Sequence, residues 1–176
     1  MSNINKILVP FDFSEASIDA LEYTINFVGP NRSADILALY VGVLPSTAQE
    51  EKELSENFKK VLGSFNMKTK KAPVFASVSG QVIETILTTQ VNQKIDLIIM
   101  GTMGAHGLSE IFVGTNAADT VTQAPCPVLC TSVGITELHP RKIALATDYK
   151  HIDEPSLDIV KQIADLFRSE IEIMHI

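Results

Sequence analysis

Short apolar runs alternate along the chain with stretches whose apolar residues recur every three or four positions. The first pattern predicts buried strands and the second amphipathic helices. Lys6 to Asp12 reads as strand one. Ser14 is placed to cap a helix with the stripe Ile18, Leu21, Ile25 and Val28, which Gly29-Pro30 stops. Asp35 to Leu44 is strand two, and Pro45 to Gln49 a loop. Glu50 to Leu62 forms a helix with Leu54, Phe58, Val61 and Leu62 inward, ended by Gly63. Pro73 to Val78 is strand three. A helix from about Gln81 to Val91 buries Val82, Ile83, Ile86 and Leu87. Ile95 to Met100 is strand four. Asn116 to Val121 reads as the first turns of a helix of about ten residues that Pro125 ends, and Pro127 to Val133 is strand five. Such β/α alternation predicts a parallel sheet covered on both faces.

The pattern then starts again. Lys6-Ile7-Leu8-Val9-Pro10-Phe11-Asp12 reappears as Lys142-Ile143-Ala144-Leu145-Ala146-Thr147-Asp148. At the same offset Ala20-Leu21, Thr24, Phe27 and Val28 match Ser156-Leu157, Val160, Ile163 and Ala164, and Arg32-Ser33 matches Arg168-Ser169. With one gap, Ile36 to Val41 matches Ile171 to Ile176. A match carrying a terminal aspartate and a helix stripe in register predicts a second copy of the unit. The expected organisation is one domain over residues 1–134, then a linker, then the first β-α-β unit of a truncated copy over 141–176.

Composition narrows the classes of function. The chain has 176 residues, 45% hydrophobic and 20% charged, so it is globular. Its net charge of −7 argues against a nucleic-acid partner. No apolar run is long enough to span a membrane, and Met1 to Lys6 lacks the features of a signal peptide. Cys126 and Cys130 lie in an apolar run, on one face if it is a strand. They are expected to be two buried thiols of a cytoplasmic protein rather than a metal site, which wants about four ligands.

The chemistry concentrates in one loop. After strand four comes Gly101-Thr102-Met103-Gly104, then nine residues, then Gly114-Thr115 at the start of a helix. A glycine-rich turn from strand to helix N-terminus can hold phosphate, because glycine admits the anion and the free N–H groups point at it. The loop is neither a Walker A sequence nor the dinucleotide fingerprint. Turn-forming glycines of a surface loop are the alternative.

The strand ending Val9-Pro10-Phe11-Asp12-Phe13-Ser14, the Gly-2x-Gly-9x-Gly-Thr loop and Ala124-Pro125-Cys126-Pro127-Val128-Leu129 together resemble the universal stress proteins, in their ATP-binding subclass. The resemblance covers residues 6–133 as a whole domain and 142–176 as the start of another. It implies a five-stranded, doubly wound, Rossmann-like parallel sheet of order 3-2-1-4-5. It also implies a bound adenine nucleotide (ATP, ADP or AMP), a role in the stress response, and pairing through strand five as a homodimer or within a tandem chain. In that strand order the ligand crevice lies beyond the carboxyl ends of strands one and four, where Asp12 and Gly101 face each other. The resemblance places Asp12 and Val41 at the adenine and ribose. It places Gly101, Gly104, Gly114, Thr115 and Asn116 at ribose and phosphates, with Pro10 and Met100 completing the set. Asp12 could instead cap a helix or end a solvated strand, Val41 could be core, and Thr115 and Asn116 could serve as N-caps.

One departure stands out. No Lys or Arg lies between Ile95 and His139, and Ala105 and His106 occupy the place where such proteins often carry a base. A triphosphate held there implies Mg²⁺ or Mn²⁺ as a companion. No Ser/His/Asp or Cys/His set accompanies the loop, and Ser109 and Thr115 have no base beside them, so at most slow ATP hydrolysis is expected. The reading is a nucleotide-binding regulatory protein. The alternatives are a dimerising adaptor that binds no nucleotide and a slow ATPase or self-phosphorylating protein.

Overall fold

The structure is a computed structural model. It describes residues 4–30, 33–42, 47–67, 69–102, 115–137, 140–148 and 154–175. The chain divides into two compact units, Ile4–Glu137 and Leu138–Ile176.

The first unit contains β1 (Lys6–Pro10), α1 (Glu15–Val28), β2 (Asp35–Gly42), α2 (Ala48–Ser64), β3 (Val74–Ser79), α3 (Val82–Gln93), β4 (Leu97–Thr102), α4 (Thr115–Gln123) and β5 (Val128–Ser132). All pairings are parallel and the strand order is β3-β2-β1-β4-β5, as the resemblance implies. Each strand returns through a helix, and the fully apolar central strands explain why. Ile7, Leu8 and Val9 of β1 and Ile98 and Ile99 of β4 are completely buried and need cover on both faces. On one face Leu8, Leu39 and Ile98 pack with Ile86 of α3, joined by Val82, Ala124 and Cys126. On the other, α1 lies over β1, β4 and β5.

The helix ends follow local chemistry. The Ser14 hydroxyl caps α1 by accepting the Ser17 N–H, and Gly29, in the left-handed region at φ +58°, closes it with a bond to Ile25 O. Helix α2 begins two residues before the expected Glu50. Thr47 and Glu50 form a reciprocal capping box that satisfies two N–H groups. Only Phe58 of the expected α2 stripe is buried. Leu54, Val61 and Leu62 are half-buried, because α2 packs over β3, an edge strand of the sheet.

The expected pair of buried thiols is corrected. Cys126 precedes β5 and is half-buried, and Cys130 is exposed. The cause is that β5 is also an edge strand, paired among the described residues with β4 alone. Burial pushes the Cys126 thiol up to about 11, with hydrogen bonds from Gln90 and the Ile98 backbone opposing it.

Strands β1 and β4 join the two halves of the sheet through a short ladder. Their ladder is limited to Ile7↔Leu97 and Leu8↔Ile98. Below it, the Asp96 carboxylate accepts the N–H groups of Asn5 and Lys6 at 2.8 and 2.9 Å, and the Asp96 N–H donates to Lys6 O. Above it the two strands part.

The second unit holds β6 (Lys142–Thr147), α5 (Glu154–Phe167) and β7 (Glu170–His175), with β6 and β7 parallel. It repeats the opening of the first unit in register. Lys6 pairs with Asp35, and Lys142 with Glu170, one residue earlier than a strict offset, which is the single gap in the sequence match. The Asp35 N–H donates to Asn5 O, and the Glu170 N–H donates to Arg141 O in the equivalent place. Ile173 and Met174 of β7 remain about half exposed.

Candidate functional site

The parting of β1 and β4 opens a cleft of about 340 Å³ at the carboxyl ends of the sheet. Its cause is topological, because the chain leaves β1 toward one face and β4 toward the other. Leu39, Val41, Val82, Ile86 and Met100 form an apolar wall, and Asp12, Ser14, Ser17, Thr102 and Asn116 supply polar groups. The volume lies within the range of about 300–1,000 Å³ usual for small-molecule sites.

Six of the residues singled out in the sequence line this cleft: Pro10, Asp12, Val41, Met100, Gly101 and Asn116. Gly104 and Gly114 lie outside the described residues. Thr115 opens α4 and Asn116 is its second residue, so both belong to the helix itself. The N–H groups of a first helical turn have no intrahelical acceptor, and Asn116 and Ala117 present that turn to the cleft.

Asp12 is held by a closed set of hydrogen bonds. Its Oδ1 accepts the Ser14 N–H at 3.0 Å, and its own N–H donates to Ser17 Oγ at 3.3 Å. Ser17 Oγ in turn donates to Ser14 O, and the Ser17 N–H donates to Ser14 Oγ. Partial burial pushes the Asp12 carboxyl up, but the hydrogen bonds from Ser14 and Ser17 outweigh it and leave the group below its ordinary value. Asp12 is therefore an anion at neutral pH. It is the one titratable side chain among the described lining residues. Its neighbour Phe13 occupies the left-handed region at φ +64°, and its ring packs on Phe11, Tyr40 and Phe75.

Gly101 owes its identity to packing. A Cβ there would stand 2.0 Å from Ala16 O, so the first turn of α1 can press against β4 only because residue 101 is glycine. Close helix–strand approach is an established use of glycine in such folds.

Sequence reasoning missed Ser17, Thr102, Val82 and Ile86 as lining residues. Ser17 stood three residues after a cap position, the spacing that brings two side chains together on a first helical turn. Val82 and Ile86 were visible only as core. Among the described residues no group of His, Cys, Asp and Glu could hold a metal ion, and no helix is long and apolar enough to cross a membrane.

Known proteins resemble this arrangement. The universal stress protein family model matches residues 3–132. A universal stress protein of Methanocaldococcus jannaschii is 30% identical over 140 residues, which cover 70% of this chain and 79% of that protein. Among solved structures, a universal stress protein from Archaeoglobus fulgidus aligns with a TM-score of 0.70 at 21% identity, covering 99% of this chain and 68% of its own. Another, a universal stress protein described in complex with cAMP, aligns at 0.55 and 18% identity, covering 76% of this chain and 100% of its own. With the matching strand order, the family model and the archaeal relative in agreement, the chain belongs to the universal stress protein family.

Proposed function

We propose that this protein is an adenine-nucleotide-binding regulator of the stress response that works in the cytoplasm. The observation that carries the reading is the convergence of Pro10, Asp12, Val41, Met100, Gly101 and Asn116, from separate elements, on one cleft at the switch point of the sheet. The apolar wall suits a purine. The ionised Asp12 accepts hydrogen bonds and suits ribose hydroxyls. The first turn of α4, with the Gly104–Gly114 loop before it, suits phosphate. A solved member of the family described in complex with cAMP supports the ligand class. The ligand is ATP, ADP or AMP. Mg²⁺ or Mn²⁺ accompanies the longer phosphate chains, held by phosphate and at most one carboxylate, as Mg²⁺ is in many nucleotide sites.

The protein binds and signals rather than turning ligand over. A homodimer, or pairing with a further domain, uses β5, whose outer side is a free edge. In this reading residues 141–176 are the first β-α-β unit of a second domain of the same kind, which the parallel pairing of β6 with β7 supports.

Titration calorimetry tests the reading. Gly114→Val is expected to abolish nucleotide binding with the circular dichroism and melting profile intact, because the branched side chain takes the anion's place. Unchanged affinity in Gly114→Val refutes the placement. The same titration with labelled ATP, followed for phosphate release, separates binding alone from slow hydrolysis, and absence of binding leaves the dimerising adaptor.

A further inference from the structure

The ends of the sheet in the Ile4–Glu137 unit differ sharply in charge. The segments at the carboxyl ends of its strands, residues 11–17, 43–51, 79–84, 101–119 and 131–137, contain no Lys or Arg. Among the described residues, that end carries Asp12 in the cleft, Glu15 in the first turn of α1, Glu50 and Glu51 in that of α2, Glu84 in that of α3, Asp119 in α4 and Glu137 after β5. The glutamates are exposed, and negative charge in a first turn complements the helix dipole.

Three cations lie at the other end. Lys6 begins β1 and donates to Gln93 O, Lys71 is paired with Asp35 at 2.6 Å at the start of β2, and Lys94 caps the C-terminus of α3. The six residues of β4 separate the two ends, and at about 3.3 Å per residue that is about 20 Å. The Debye length at physiological salt is about 8 Å, so these lysines do not compensate charge in the cleft. Lys52 is the cation nearest in sequence to the carboxyl end, and it is exposed on α2 between Glu51 and Glu53.

We infer that the cleft favours the less negatively charged members of the adenine-ligand class and disfavours the metal-free triphosphate. The inference rests on the adenine-nucleotide reading above and adds which charge state the site accepts. Neutral parts of such a ligand meet the apolar wall, and one phosphate is served by the first turn of α4. Among the described charged side chains at that end, each additional phosphate charge meets carboxylates and not Lys or Arg. Two like unit charges about 10 Å apart in water oppose binding by about a factor of two. Several phosphate charges against these carboxylates compound this to roughly tenfold or more at low ionic strength.

The experiment is calorimetry of the whole chain with adenosine, cAMP and ATP in EDTA. It is run at about 10 mM salt, where the Debye length is about 30 Å, and again at about 0.15 M. At low salt adenosine and cAMP are expected to bind at least tenfold more tightly than ATP, with the gap narrowing at the higher salt and on addition of Mg²⁺. Glu15→Gln, Glu51→Gln and Glu84→Gln together, all outside the cleft, are expected to tighten metal-free ATP about tenfold and leave adenosine unchanged. Equal affinities for adenosine and metal-free ATP at low salt, or no response of ATP to the triple variant, overturn the inference while the nucleotide reading stands. Failure of every adenine compound to bind overturns both.

Discussion

Gly101→Ala is the substitution whose cost follows most directly from the geometry. The new methyl carbon would sit 2.0 Å from the carbonyl oxygen of Ala16, 2.4 Å from its carbonyl carbon and 3.0 Å from its Cβ. The first two are backbone atoms of α1 and cannot rotate away, so the helix must retreat from β4 by roughly 1 Å or more to restore ordinary contact distances of about 3.5 Å. Overpacking typically costs about 1–3 kcal/mol, and a backbone obstruction places this case near 3. For a unit of this size that corresponds to a fall in Tm of about 10 °C. The displaced turn also carries Ser14 and Ser17, which hold Asp12, so nucleotide affinity is expected to fall as well. Thermal and urea unfolding of the purified variant measure the cost. Ala16→Gly removes only the more distant Cβ, so the double variant is expected to recover little, with a coupling energy below about 0.5 kcal/mol. A Gly101→Ala protein that melts within about 1 °C of the parent, where about 10 °C is expected, refutes the packing argument.

Other outcomes are expected from the same site and its surroundings. Asp12→Asn keeps an acceptor for the Ser14 N–H but removes the charge. The carboxyl of Asp12 is depressed in the folded state, so the stability it adds is present above the unfolded value of about 3.9 and is lost as pH falls through the lower folded value. Urea unfolding of parent and variant should therefore converge as pH is taken below the ordinary carboxylate range, and a constant difference would exclude this linkage. Thr47→Ala removes half of the α2 capping box and is expected to cost about 1 kcal/mol, with Thr47→Ser restoring it. Iodoacetamide is expected to modify the exposed Cys130 well before Cys126, whose thiol is pushed up to about 11. Peptide mass spectrometry reads the order, and equal rates would contradict the burial assigned to Cys126.

The order and type of the elements were legible because each central strand is a continuous apolar run and each helix a stripe, two periods that cannot be confused over a dozen residues. The repeat was legible to the single-residue gap, which reappears as the register of β6 against β7. Ends were less so. Strand one stops at Pro10, because the chain turns at Phe11 to Ser14 to make the Asp12 hydrogen bonds. Helix α2 starts earlier because the Thr47-x-x-Glu50 signal outweighs its polar first turn. Burial at the two edges was hidden, since periodicity does not tell an edge strand from a central one; hence the exposed Cys130 and the half-covered stripe of α2. At the site, Asp12 and Gly101 could be found from their places after strands one and four. The backbone reason for Gly101, a helix carbonyl pressed on its Cα, belongs to tertiary packing and leaves no local mark.

The short ladder between β1 and β4 has a consequence for the order of folding. Every other neighbouring pair in the first sheet is joined by a single crossover, whereas this pair brings together residues about ninety positions apart, such as Lys6 and Asp96. Closing so long a loop is paid for in chain entropy before the ladder returns anything. The β1-β2-β3 half and the β4-β5 half are thus expected to form as separate nuclei, with the zipping of Ile7–Leu8 onto Leu97–Ile98 as the late event. Asp96→Ala, which removes the acceptor for Asn5 and Lys6, should accelerate unfolding and leave the folding rate nearly untouched. The cleft sits astride that last-formed seam, so a bound ligand spans two halves that the chain alone joins late and breaks first, and its occupancy would set the lifetime of the native state.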